Sequence, residues 1–158
     1  MRVVGLYAKG QEADGLRIPK LPVEQAHVSQ EGVEGDYNRS RHERDRDNPN
    51  RALLIMPAET IQDLNNEGWP VRPGDMGENI TTEGLLNTEF YVGGQLRIGE
   101  VLAELAENTA PCQILGQLPY VGPQRVDEFI ETLIGRRGWY ARVVEGGKIS
   151  VGDRVCKQ

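Results

Sequence analysis

Two cysteines occur in the chain, and one of them stands in NTAPCQILGQLP, residues 108–119. Cys112 directly follows Pro111. Proline is favoured at the first position of a helix, so PCQILGQL is expected to open a short helix with Cys112 in its first turn. The positive end of a helix favours a thiolate, the form of cysteine that acts as nucleophile and metal ligand. A small buried residue is the plainer reading, because free cysteine is among the most buried residue types. Half a disulfide with Cys156 is the third. The cysteine and its neighbours do not decide among them.

A second cluster is GDMGENITTEGL, residues 74–85. Gly74 and Gly77 let the backbone turn sharply and approach a ligand closely. Glu78 and Asn79 follow, and the Asn79 amide offers two donors and an acceptor, which suits the edge of a heterocycle. Thr81 and Thr82 add hydroxyls. The competing reading is a tight turn before a strand, with Asp75 and Asn79 bonded to local backbone. A third cluster is the arginine set at 39, 41, 44, 46 and 51. Guanidinium binds oxyanions in a bidentate fork. Glu43, Asp45 and Asp47 interleave with these arginines and cancel much of their field. Arg51 differs, because it stands at the mouth of an apolar run. His42 reads either as a proton donor or as an exposed side chain. Lys20, in IPKLP, reads as a second phosphate contact or a surface lysine.

These residues need elements to hold them. RVVGLYA reads as a strand, and a second strand is expected around Gln25–Val28. SQEGVEGDYN reads as a turn. The run NRSRHERDRDNPN, residues 38–50, has no hydrophobic residue and is expected to be a mobile surface loop with nothing in it able to pack. RALLIM fits a buried strand. PAETIQDLNNEG fits a helix from Pro57 to Gly68, with Ile61 and Leu64 on its buried face. LRIGEVLAELAE reads as two strands joined at Gly99 and Glu100. QRVDEFIETLIGRRG is a helix by the recurrence of Val126, Phe129, Ile130, Leu133 and Ile134. WYARVVEGGKISVGDRVCKQ reads as a closing hairpin with EGGK as its turn. Many short strands with two or three helices predict one β-rich domain, a barrel in the simplest case.

The totals bound the function. A length of 158 residues suits one domain with a real core. The net charge of −6 argues against general nucleic-acid binding, which rests on neutralising phosphates. No apolar run is long enough to span a membrane. MRVVGLYAKG lacks the apolar segment and cleavage site of a signal peptide, so a cytoplasmic location is expected. Thiols stay reduced there, which argues against the Cys112–Cys156 disulfide. Two His and two Cys without paired spacing do not make a structural zinc site.

Taken together, the motifs resemble one family, the MOSC domain, named for the C-terminal domain of molybdenum cofactor sulfurase. GLRIPKLPVEQAHVSQEGVEGDYN is similar to its opening lysine–proline loop and glycine–aspartate turn. NRALLIMPAETI, GDMGENITTEGL, LRIGEVLAEL, APCQIL and GWYARVVEGGKISVGDRV resemble its later segments in the family's order. The resemblance covers most of the chain. It implies a single domain over residues 1–158, mainly β with a few helices, a β-barrel of the pyruvate-kinase β-barrel-like type.

It also implies function. The resemblance makes Cys112 the cysteine that ligates molybdenum or carries a sulfur. Asn79, with Glu78 and Thr81 of the same motif, would contact the pterin of the molybdenum cofactor, molybdopterin. Arg51 and Lys20 would meet its phosphate. Many members carry a short histidine–glycine loop where this chain has the longer YNRSRHERDRDNPN. Pyridoxal phosphate is a label inherited from the sulfurase, whose lysine site has no counterpart here. Two functions follow from the resemblance. One is an oxidoreductase reducing N-hydroxylated small molecules such as hydroxylaminopurines. No flavin, nicotinamide or iron–sulfur motif is present, so a partner reductase would donate the electrons. The other is a sulfur carrier, with a Cys112 persulfide, or a cofactor delivery module.

Overall fold

In a computed structural model, which describes residues 1–10, 17–38 and 40–158, with Ser40 described by its backbone alone, RVVGLYA forms β1 (Arg2–Ala8). Three short strands follow: β2 (Leu21–Pro22), β3 (Gln25–Ser29) and β4 (Gly32–Val33). The apolar run becomes β5 (Leu53–Pro57), buried at every residue. Pro57 caps α1 (Ala58–Asn66), which buries Ile61 and Leu64 together, as their spacing requires. β6 (Ile80–Glu83) runs parallel to β5, so α1 is the crossover between them. β7 (Gln95–Ile98) and β8 (Val101–Asn108) pair antiparallel across the turn at Gly99, as the sequence predicts. α2 (Gly122–Leu133) buries Val126, Phe129 and Leu133. Ile134 is exposed, because the helix ends before it. β9 (Trp139–Glu145), β10 (Gly147–Ser150) and β11 (Val155–Lys157) complete the chain.

The fold is mainly β, but the expected closed barrel is not found among the described residues. Eight strands form one sheet in the order β11-β7-β8-β9-β5-β6-β1-β2. Its far end meets the start of β1 at a single bridge, Arg2 with Arg154. Val3 N–H donates to Asp153 O at 2.8 Å, and Gly152 N–H donates to Val3 O at 2.9 Å. The ladder stops there because the other end of that β1 edge is taken: Tyr7 and Ala8 pair with Pro22 and Leu21 of β2.

The closing hairpin also differs from expectation. β9 pairs with β5 and β8 in the large sheet, whereas β10 pairs with β3 in a separate sheet of order β10-β3-β4. The two glycines of EGGK carry the chain from one sheet to the other instead of folding it back. A Cβ on Gly146 would stand 2.6 Å from Val28 O, so only glycine allows the crossing this close to β3.

Side chains of the two sheets meet in one apolar core that includes Leu53, Ile55, Ile80, Ala103 and Ala141 with Val28 and Ile149. A second core lies under the helices, where Ile61 and Leu64 join Phe129, Leu133, Met56 and Trp69. Trp69 and Phe129 rings lie 4.5 Å apart. Burying a side chain of that size contributes about 1.5–3 kcal/mol, enough to pin α2 against the sheet.

The polar run of residues 38–50 has a buried anchor after all. Arg41 is 2% exposed. Its guanidinium donates to the carbonyls of Glu31, Asp47 and Asn48 and pairs with the Glu31 carboxylate. An arginine can serve as a small polar core when backbone carbonyls saturate its donors. Arg41 is therefore spent on its own loop and is not available to a phosphate. Arg39 of the same set lies outside the described residues. No helix among the described residues is long and apolar enough to cross a membrane.

Candidate functional site

Where β8 ends and β5 and β9 begin, the surface opens into a cleft of about 240 Å³. Five basic side chains line it: Arg17, Lys20, Arg44, Arg51 and Arg137. Glu107 is the one acidic residue of the lining among the described residues. A net-acidic chain has thus gathered cations at one place, which is the electrostatic signature of an anion site.

Cys112 reaches this cleft at the end of an extended stretch. Thr109 N–H, just past β8, donates to Gly138 O at 2.9 Å and holds the stretch against the start of β9. Cys112 has φ −151° and ψ 170°, and it precedes a short 3-10 helix over Gln113–Gln117. It is therefore the cap of that helix and not a member of its first turn: the expected short helix forms, as a 3-10 helix, but begins after Cys112. Its side chain is exposed and its thiol is free. The buried structural reading fails on that exposure. Cys156 lies on β11, opposite Arg97 of β7, and is also a free thiol, so the disulfide reading fails too.

Arg137 is the site's main addition to the sequence reading. It is only 7% exposed. Nη1 donates to Ala110 O at 2.9 Å and lies 3.4 Å from the Cys112 sulfur. Nη2 donates to Met76 O at 3.3 Å, and Nε has no hydrogen-bond partner among the described residues. No carboxylate pairs with it among the described residues. Its sequence context, GRRG after α2, reads as a helix end and gives no sign of this. The next residue, Gly138, has φ +85°, and an added Cβ there would stand 2.6 Å from Ile55 O.

Lys20 and Arg51 also line the cleft, but each already has a carboxylate. Lys20 Nζ donates to Asp36 Oδ2 at 2.6 Å, and both side chains are buried. Arg51 pairs with Glu107 and, at 3.3 Å, with Asp45, while its guanidinium lies 5.4 Å from the Tyr140 ring centre. The Glu107 hydrogen bond is the main reason the Arg51 guanidinium holds its proton more tightly than usual. Burial raises the Tyr140 phenol, and the nearby Arg137 and Arg51 charges oppose that rise. Tyr37 lines the cleft and stacks on His42 at 4.8 Å, and His42 Nδ1 contacts Asp47 Oδ1.

Asn79, Glu78 and Thr81 do not line the cleft. Asn79 is 1% exposed. Its Oδ1 accepts from Leu54 N–H at 3.1 Å, and its Nδ2 donates to Tyr7 O and to Asp36 Oδ2. Every polar group of that amide is used inside the protein. Glu78 accepts from Gly74 N–H at 2.6 Å and from the Thr81 hydroxyl. Cys112, Arg51 and Lys20 are thus brought to one place, and the GEN motif forms the frame behind them.

A mainly β domain with an exposed thiol in a cationic cleft is what the fold and the site define. The chain belongs to the MOSC domain family, whose model matches residues 38–156. It is 28% identical over 140 residues to protein YiiM of Escherichia coli (strain K12), covering 84% of this chain and 59% of that protein. It is 27% identical over 108 residues to the uncharacterized protein YflK of Bacillus subtilis (strain 168), covering 68% of this chain and 48% of that one. The chain thus spans about half to three-fifths of the length of the curated relatives it matches. The crystal structure of the YUAD protein from Bacillus subtilis superposes with a TM-score of 0.78 at 16% identity, over 98% of this chain and 93% of that one, a likeness of fold alone. Family membership supports a molybdenum-cofactor-binding domain in general terms.

Proposed function

We propose that the cleft binds molybdenum cofactor with Cys112 as a metal ligand, and that the domain reduces N-hydroxylated small molecules with electrons from a separate reductase. The observation that carries this reading is the exposed Cys112 thiol opening on a cleft lined by five cations. The residues fit the group. A thiolate is a soft ligand of the kind such metals accept, and guanidinium and ammonium groups match a phosphate.

The cofactor, when bound, supplies the redox centre. The chain's own residues do the rest. Cys112 presents its sulfur from an extended backbone just ahead of a short 3-10 helix. Arg51 and Lys20 would hold the phosphate, each with its charge tempered by a neighbouring carboxylate. Tyr140 keeps its phenol proton through neutral pH, because burial outweighs the guanidinium charges beside it, and so offers a donor at the cleft wall. Asn79, Glu78 and Thr81 support the wall from behind.

The same exposure of Cys112 favours a second reading, in which the thiol carries a persulfide or the domain delivers cofactor. Metal content separates the two. Protein purified from a host that makes the cofactor should retain about one molybdenum per chain and reduce a hydroxylaminopurine when given a reductase. Protein without molybdenum that still transfers sulfur from Cys112 would establish the carrier instead.

A further inference from the structure

Lys20 and Arg51 carry their own carboxylates, but among the described residues none pairs with Arg137. It is buried to 7% exposure, its Nε has no partner among the described residues, and its contacts are two carbonyls, Ala110 O and Met76 O, and one sulfur. Two carbonyl dipoles do not neutralise a guanidinium that has left water, and a buried charge without a counter-charge is costly. Among the described residues, the one group in contact with it that can carry a full negative charge is Cys112 Sγ, 3.4 Å away.

We propose that Arg137 is a positioning residue whose role is to pair with an anionic sulfur at Cys112. This deepens the reading of Cys112 as the working thiol, but it holds equally for a metal-bound thiolate and for a persulfide. Arg137 does two things at once. Its bonds to Ala110 O and Met76 O clamp the segment that carries Cys112 to the turn at residues 74–77. Its remaining charge faces the sulfur and gives the cleft a positive potential at the reacting atom. Arg17 and Arg44 add to that potential from the cleft rim.

Alkylation selectivity tests this without any cofactor. In a Cys156→Ser background, Cys112 is alkylated in parallel by iodoacetate and by iodoacetamide at one pH. In each case the sulfur attacks the methylene carbon, a C–S bond forms and iodide leaves. The ratio of the two rates cancels the fraction of reactive sulfur and reads only the field felt by the anionic reagent. A nearby positive charge should raise this ratio about threefold or more above that of glutathione. Salt at 1 M shortens the screening length to about 3 Å. It should remove the share due to exposed Arg44 and leave a preference due to buried Arg137. Arg137→Gln should lose that remaining preference, and Arg137→Lys should keep most of it. A wild-type ratio equal to that of glutathione, or one abolished by salt, overturns the proposal even if Arg137→Gln does not fold. So does a folded Arg137→Gln that keeps the full ratio, or an Arg137→Lys that loses it. Molybdenum retention is a separate readout, so either idea can fail without the other.

Discussion

Asn79 Nδ2 donates to Asp36 Oδ2 at 2.9 Å, on the same carboxylate oxygen that receives Lys20 Nζ at 2.6 Å. The other oxygen, Oδ1, accepts from Lys9 N–H at 2.8 Å. Asp36 therefore ties the lysine–proline loop, the end of β1 and the GEN motif together. Two N-terminal segments and the distant GEN motif thus meet on one buried carboxylate.

Asn79 is expected to act on stability first. Asn79→Ala strands Leu54 N–H and Tyr7 O and removes one partner of Asp36. Buried groups left unpaired cost about 1–3 kcal/mol each, so the urea midpoint should fall markedly. An unchanged midpoint together with weakened cofactor retention would instead make Asn79 a direct ligand contact.

Asp36→Asn should also cost stability. It leaves the Lys20 ammonium buried without its counter-charge, and breaking one partner of a buried pair costs about 3–5 kcal/mol. Asp36→Asn with Lys20→Met should recover much of the loss. Failure of the double variant to exceed the single one in equilibrium unfolding would contradict the pairing.

Glu78 sets a pH dependence. Burial raises its carboxyl above the ordinary value of 4.5, against the hydrogen bonds from Gly74, its own backbone and Thr81. A raised carboxyl binds its proton more tightly in the folded state than in the unfolded chain. Its contribution to stability is full below the unfolded value and is lost as pH rises through the folded one. Glu78→Gln keeps an acceptor for Gly74 N–H and cannot ionise. Its stability relative to wild type should rise steadily from pH 4.5 upward until the wild-type carboxyl ionises. Parallel curves of urea midpoint against pH would rule this out.

Gly138→Ala should displace the site from outside it. The backbone there has φ +85°, and a Cβ would stand 2.6 Å from Ile55 O. Strain of this kind costs about 1–3 kcal/mol. The melting temperature should drop, and the iodoacetate preference at Cys112 should fall with it as Arg137 shifts. A melting temperature unchanged by this substitution would show that the β5–β9 crossing has slack.

Much of this was legible in the sequence, and the failures have specific causes. Ile61 with Leu64, and Val126 with Phe129 and Leu133, marked the helices because burial on a helix demands their spacing. Cys112 and Arg51, expected to share a pocket with Asn79, line one cleft together with Lys20, and Asn79 does not. Asn79 was misplaced because an amide's donors suit a ligand and a buried frame equally, and the sequence does not say which side of the wall it faces. EGGK reads as a turn because paired glycines usually fold a strand back. Here the same lack of Cβ lets the chain pass Val28 and enter a second sheet. Arg137 gave no pattern at all, since its partners are the carbonyls of Ala110 and Met76, and backbone carries no side-chain signature.

The metal content of Cys112→Ser is the most direct test of the proposed role. Serine keeps the size but replaces a soft sulfur with a hard hydroxyl. Wild type, Cys112→Ser and Cys156→Ser would be purified from one cofactor-making host, and molybdenum per folded chain measured alongside their melting curves. Wild type and Cys156→Ser should retain molybdenum, while Cys112→Ser should lose it and still melt as a folded protein. Equal molybdenum in a folded Cys112→Ser would contradict Cys112 as the metal ligand.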